Sequence, residues 1–150
     1  MPLAASPLQL TPAEHRPLGA VATSGDGYVP GVCNIGPEEI RRRRASSMVA
    51  FGVAAAGLAM LIALGAPHPV RLVLLLPLWG GTFSWLQARR RFCGGFAVAR
   101  ISNFGPEEST RRRVEDDGAH RADMRALGRM TRDSFLLALP VTIALVLLPL

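Results

Sequence analysis

Twenty-one consecutive residues without a charge, SSMVAFGVAAAGLAMLIALGA at positions 46–66, constrain this chain more than anything else in it. A helix of that length rises about 30 Å, the thickness of a bilayer's hydrocarbon core. A helix in a soluble protein needs a polar face, and this stretch has none. It therefore reads as a membrane span. A second uncharged segment, LVLLLPLWGGTFSWLQA at 72–88, is short for a span. Arg71 is placed to snorkel at one of its ends, and Trp85 and Gln87 suit the opposite interface. The third, 134–150, is also short and uncharged, and carries Pro140 and Pro149. The expected fold class is all-α: an integral membrane helical hairpin plus one C-terminal transmembrane helix, with juxtamembrane cytoplasmic helices.

The connection at 67–70 is so short that the first two spans must run antiparallel. Gly52 and Ala56 in the first, with Gly80, Gly81 and Ser84 in the second, offer small-residue faces for close approach of the backbones. The same residues are equally at home facing lipid in an alanine-rich helix. Pro77 and Pro140 are expected to kink their helices, their freed carbonyls satisfied by neighbours.

Orientation follows from the arginines, which account for all seventeen basic residues. Arg41, Arg42, Arg43 and Arg44 precede the first span. Arg89, Arg90 and Arg91 follow the second, and Arg121, Arg125, Arg129 and Arg132 precede the third. Only Arg71 lies at the other ends. The positive-inside rule places the N-terminus and the 89–133 loop in the cytoplasm and the C-terminus outside. A formal net charge of +6 would also suit a nucleic-acid binder. A mean hydropathy of +0.27 argues against that partner, as do arginines that flank spans instead of interleaving with exposed aromatics. The first thirty or so residues hold no basic stretch followed by an apolar core, so no signal peptide is expected. Positions 1–31, rich in Pro, Ala and Gly, read as a disordered N-terminal tail ahead of a membrane domain at 32–150.

The most specific signal is a repeat. Cys33-Asn34-Ile35-Gly36-Pro37-Glu38-Glu39 precedes, after Ile40, four arginines; Ser102-Asn103-Phe104-Gly105-Pro106-Glu107-Glu108 precedes, after Ser109-Thr110, three. Each copy reads as a helix start. Proline suits the first helical position, two glutamates offset the positive end of the dipole, and Asn or Gly serves as cap. The first helix should run straight into the first span, with the two Asn-x-Gly-Pro turns packed near each other at the membrane. The second should stop at Glu115-Asp116-Asp117-Gly118, with a new helix from about Ala119 into the third span. On that helix Arg121, Arg125, Arg129 and Arg132 share one face, suited to anionic lipid headgroups or simply to solvent.

The pattern resembles an uncharacterised family of small bacterial membrane proteins. These carry a Cys-Asn-Ile-Gly-Pro stretch before the first span, a Phe-Cys pair (here Phe92-Cys93) after the second, and an Asn-Phe-Gly stretch (here Asn103-Phe104-Gly105) beyond it. The resemblance covers about position 31 onward. It implies no activity, substrate or cofactor, and only that Cys33 and Cys93 belong to the pattern.

Two thiols and His120 near one membrane face are three candidate ligands for a soft metal, and the thiols alone a candidate redox pair. A juxtamembrane cysteine also suits acylation. No CxxC or HxxxH supports a metal, and two free, partly buried thiols are the plainer reading. No nucleophile has both a base and an orienting group, no span holds an ionisable residue, and no phosphate loop is present. No cofactor is expected. The leading expectation is a non-enzymatic scaffold or accessory subunit packed against partner membrane subunits or its own copies; the alternative is a thiol-based redox or metal-binding membrane protein.

Overall fold

A computed structural model describes residues 27–106 and 108–149. Most of the expected tail, 1–26, lies outside the described residues. The chain is mostly helical, and among the described residues three helical stretches are long and apolar enough to cross a membrane: Pro37–Ala63, His68–Arg90 and Asp117–Leu147.

Helix α1 (Pro37–Ala63) starts on Gly36, whose extended backbone turns the chain into Pro37. Glu38 and Glu39 then occupy the first turn, and Arg41, Arg42 and Arg43 reach back to them at i+3 and i+4. The helix continues without a break through the arginine run into the apolar segment, as its sequence predicts. It ends at Leu64, and Gly65 takes a left-handed φ of 61° before Pro67. A 3-10 turn, His68–Leu74, then leads into α2 (Leu75–Arg90). Pro77 thus falls in the first turn of α2, where a missing N–H costs little. Pro140 lies inside α4 (Asp117–Leu147), which carries it within one continuous helix.

Between α2 and α4 the chain makes a short helix, α3 (Gly94–Ala99), and a ribbon that departs from an all-α reading. Strand β1 (Ile101–Asn103) pairs antiparallel with β2 (Arg111–Arg113), Ser102 opposite Arg112. The second motif copy therefore starts no α-helix; Pro106 leads through a single 3-10 turn, Glu108–Thr110, into β2. The physical cause is local. Where the first copy offers Ile40 and then arginines able to pair back to glutamates, the second has Ser109 and Thr110, poor helix formers. The Thr110 hydroxyl donates to Asn103 Oδ1 at 2.6 Å, closing the turn.

The long helices form a row. α1 packs on α2 and α2 on α4, while α1 and α4 scarcely meet, so α2 is the middle member. Of the small residues expected at the α1–α2 seam, Gly81 is used: a Cβ there would lie 2.7 Å from the Phe51 ring. Gly57, not singled out from sequence, meets Leu74. Gly52 and Gly80 face open space, because the seam is offset from the face they define. The buried face of α4 runs through Ala119, Asp123, Met130, Ser134, Ala138 and Thr142, and the four arginines of the stripe are exposed away from it.

Candidate functional site

The polar end of the molecule is a knot tied at Asn34, which is fully buried. Its Nδ2 donates to the Cys93 carbonyl at 3.0 Å, and the Cys93 N–H donates to its Oδ1 at 2.7 Å. One side chain thus satisfies both polar groups of a buried residue, as a neighbouring strand would. The backbone N–H groups of Asn34 and Ile35 both donate to the Arg91 carbonyl, at 3.1 and 3.3 Å. Arg91 ends α2 in a left-handed conformation, φ 51°. That turn aims its carbonyl at the incoming chain.

The two motif copies meet here. The Asn103 N–H donates to the Asn34 carbonyl at 3.0 Å, and the Gly36 N–H donates to the Asn103 carbonyl at 2.7 Å. Residues 34–36 thereby lie parallel to β1 on the edge opposite β2, Ile35 bridging Asn103. The approach is close enough to require glycine: a Cβ on Gly36 would stand 2.4 Å from the Phe104 carbonyl oxygen. Gly105 is glycine for a different reason, since a Cβ there would strike the Thr110 side chain at 2.4 Å. Equivalent residues of the repeat therefore do unlike work. Of the glutamates, Glu38 and Glu39 pair with arginines of their own helix, with the Glu39 side chain the more buried. Glu107 and the side chain of Glu108 lie outside the described residues.

A second tie holds the segment just before the motif. Asp123, on the buried face of α4, accepts from the Tyr28 hydroxyl at 2.8 Å and from the Gly31 N–H at 2.6 Å. Residues 28–31, read from sequence with the tail, are thus part of the fold: Tyr28 packs with Val114 and Ala119. Burial and the adjacent Asp123 carboxylate push the Tyr28 phenol well above its ordinary pKa. Gln87, expected at an interface, is instead buried in the knot, its Oε1 accepting from the Gly94 N–H at 3.2 Å.

At the opposite end of the helices, Arg71 does not snorkel. It is buried, and its Nη1 donates to the carbonyls of Leu145 and Leu148 at 3.1 and 2.8 Å. It caps α4, placing a cation at the negative end of that helix dipole. In the second turn of α2, Trp79 Nε1 donates to the buried Ser134 hydroxyl at 3.0 Å, tying α2 to α4.

The candidate metal ligands are not gathered. Cys93 is closed in with Ile35 and Phe96. Cys33 is half-buried at the edge of a cleft, and His120 lies in the first turn of α4. Among the described residues no three His, Cys, Asp or Glu side chains are grouped to hold a metal ion. Both thiols are free. That cleft, about 720 Å³, has Pro37, Ile40, Arg41 and Arg44 of α1 on one wall and Cys33, Phe104 and Arg91 among its other walls.

Sequence reasoning missed Tyr28, Asp123 and the capping role of Arg71. Asp123 left one signal. It falls on the side of α4 away from the arginine stripe, at a position an amphipathic helix buries.

No protein-family model, curated protein or solved structure matches this chain.

Proposed function

We propose that this chain is a three-span protein of a bacterial inner membrane, N-terminus cytoplasmic and C-terminus outside, serving as a non-enzymatic scaffold or accessory subunit. The observation that carries the reading is the row of helices. In its most apolar window α1 has only 11% of its residues buried inside the molecule, against 22% for each of the other two. Val49, Val53 and Met60 stand exposed along it. Three helices in a row leave lateral surface that a closed bundle would cover, and partner helices or a second copy are the occupants such a face suits. The polar cap supports the same reading. Its buried amides and carboxylate (Asn34, Gln87, Asp123) hydrogen-bond to the chain itself, fixing the angle at which α1 enters the bilayer.

The exposed arginine stripe of α4, Arg121, Arg125, Arg129 and Arg132, would seat this cap on anionic headgroups, each contributing on the order of 1 kcal/mol. A thiol-based redox or metal role has less behind it, because Cys93 is enclosed and Cys33 and His120 belong to separate elements.

Cysteines introduced singly at Val49, Val53 and Met60, crosslinked in native membranes, test the scaffold. Adducts of higher mass at one or more positions are the expected result. Lone monomers at all three, with only lipid bound after extraction into native nanodiscs, would remove the reading. A reporter fused after Leu150 tests the topology, and should be active only if it works outside the cytoplasm.

A further inference from the structure

We infer that the cleft between the start of α1 and the end of α2 is a binding site for the phosphate of an anionic phospholipid headgroup. The inference rests on the membrane reading given above and names the ligand of one particular place on the cap.

The cleft combines charge, shape and height. Arg41 and Arg44 are one turn apart on the same face of α1, and Arg91 faces them from the end of α2. Arg41 is ion-paired with Glu38, whose carboxylate is also approached by Arg42 at 3.7 Å. Among the described residues Arg44 and Arg91 have no carboxylate partner, and none of those that line the cleft is a carboxylate. Two unneutralised guanidinium groups and a third that is half-neutralised thus converge on one concavity. Guanidinium forks match phosphate oxygens in pairs. The Gly36 N–H is not among the donors, being already given to the Asn103 carbonyl.

The walls suit a lipid better than a free ion. At about 720 Å³ the cleft is far roomier than a bare phosphate requires, and Ile35, Ile40 and Phe104 give it an apolar side. That is the composition expected where a glycerol backbone and the first acyl carbons enter with the phosphate. Height agrees. Arg44 is the last charge on α1 before the uncharged stretch, and Pro37 lies about 10 Å below it along the helix. The cleft therefore occupies the headgroup layer in the proposed orientation. Arg91 holds its position in a left-handed backbone conformation that a side chain other than glycine adopts at a cost, which fixes it opposite α1.

Cys33 lines the cleft and serves as the reporter. The full chain is reconstituted in vesicles of phosphatidylcholine alone, in vesicles containing phosphatidylglycerol, and in phosphatidylcholine vesicles with added inorganic phosphate. Maleimide labelling of Cys33 is then followed by peptide mass spectrometry, and flotation checks insertion separately. Phosphatidylglycerol should slow labelling about tenfold. The double variant Arg44→Gln, Arg91→Asn, in which asparagine tolerates the left-handed position, should lose about thirtyfold in lipid affinity and with it the protection. Its labelling rate and thermal midpoint in phosphatidylcholine should match the parent. The variant Arg112→Gln, Arg113→Gln removes as much charge from the exposed side of β2, away from the cleft, and should keep the protection.

Slowing that persists in the Arg44/Arg91 variant is a general surface-potential effect and overturns the site. Protection by inorganic phosphate equal to that by phosphatidylglycerol overturns the lipid in favour of a soluble phosphate. A chain that fails to float with vesicles overturns the membrane reading itself, a result distinct from either.

Discussion

Replacing Asn34 by alanine should loosen the cap far more than replacing Asn103, though the two occupy the same place in the repeat. Asn34 is fully buried, and its side chain is the partner of both the N–H and the carbonyl of Cys93. Alanine strands the N–H in a site water does not reach, while the carbonyl keeps the bond it accepts from the Ala97 N–H at 3.1 Å. The stranded N–H costs roughly 1–3 kcal/mol and the lost second bond to the carbonyl about 0.5–1.5 kcal/mol, so the variant loses about 1.5–4.5 kcal/mol. Asn103 accepts one side-chain bond, from Thr110, which is exposed enough for water to substitute. Its loss is worth about 0.5–1.5 kcal/mol.

Cys93, only 1% exposed, supplies the assay. In a Cys33→Ser background, purified in detergent, it reacts with a thiol probe only when the cap opens. With opening fast relative to labelling, the rate follows the open population, tenfold for about 1.4 kcal/mol. Asn34→Ala should therefore accelerate Cys93 labelling by more than about tenfold, and Asn103→Ala by about tenfold at most. Equal acceleration in the two variants, or less than threefold for Asn34→Ala, would refute the claim that the Asn34 amide closes the knot.

Three further predictions test other joints. Gly36→Ala places a methyl against the Phe104 backbone and should part the two motif copies, with a fall in thermal midpoint; Gly52→Ala meets nothing and should be neutral or slightly stabilising, which parallel melts would check. Arg71→Met removes two charged hydrogen bonds at the end of α4, worth roughly 3–6 kcal/mol, and amide exchange should speed up at 144–148 but not at 120–135. Tyr28 is the only tyrosine in the chain, so phenolate absorbance reports it alone. With its folded pKa raised above the unfolded value of about 10, native protein should show little phenolate just above pH 10. The stability it contributes is complete below that unfolded value and is lost as pH climbs through the folded one. Asp123→Asn should bring the transition down, and an unchanged titration would show that the carboxylate has no part in the shift.

The long helices were legible because the absence of charge over a span is a property of composition and needs no partner to be seen. The helical first copy of the motif was legible too, since proline, two glutamates and following arginines act within one turn. The β-ribbon was not. Its three-residue strands are too short for periodicity, and Arg111, Arg112 and Arg113 look like any charged run. What makes them a strand is β1, ten residues earlier in the chain. Asn34 could be picked out as a motif residue, but not its partner: the Cys93 peptide is 59 residues away, and nothing in either stretch announces the pairing. Arg71 was misjudged for a related reason. Its partners are backbone carbonyls, which carry no identity a sequence can display.

The ties that close this molecule have an order in time. Asn34 waits 59 residues for Cys93, Arg71 waits 74 and 77 for its carbonyls, and Gly31 and Tyr28 wait 92 and 95 for Asp123. A chain is synthesised from its N-terminus, so α1 is complete before any of these later partners exists. During that interval its entry segment is an open hook, with the Asn34 amide and the Tyr28 hydroxyl unmatched. A ribosome that stalls before Asp123 leaves the hook open for good. The same long-range contacts that steady the finished protein thereby mark an unfinished one.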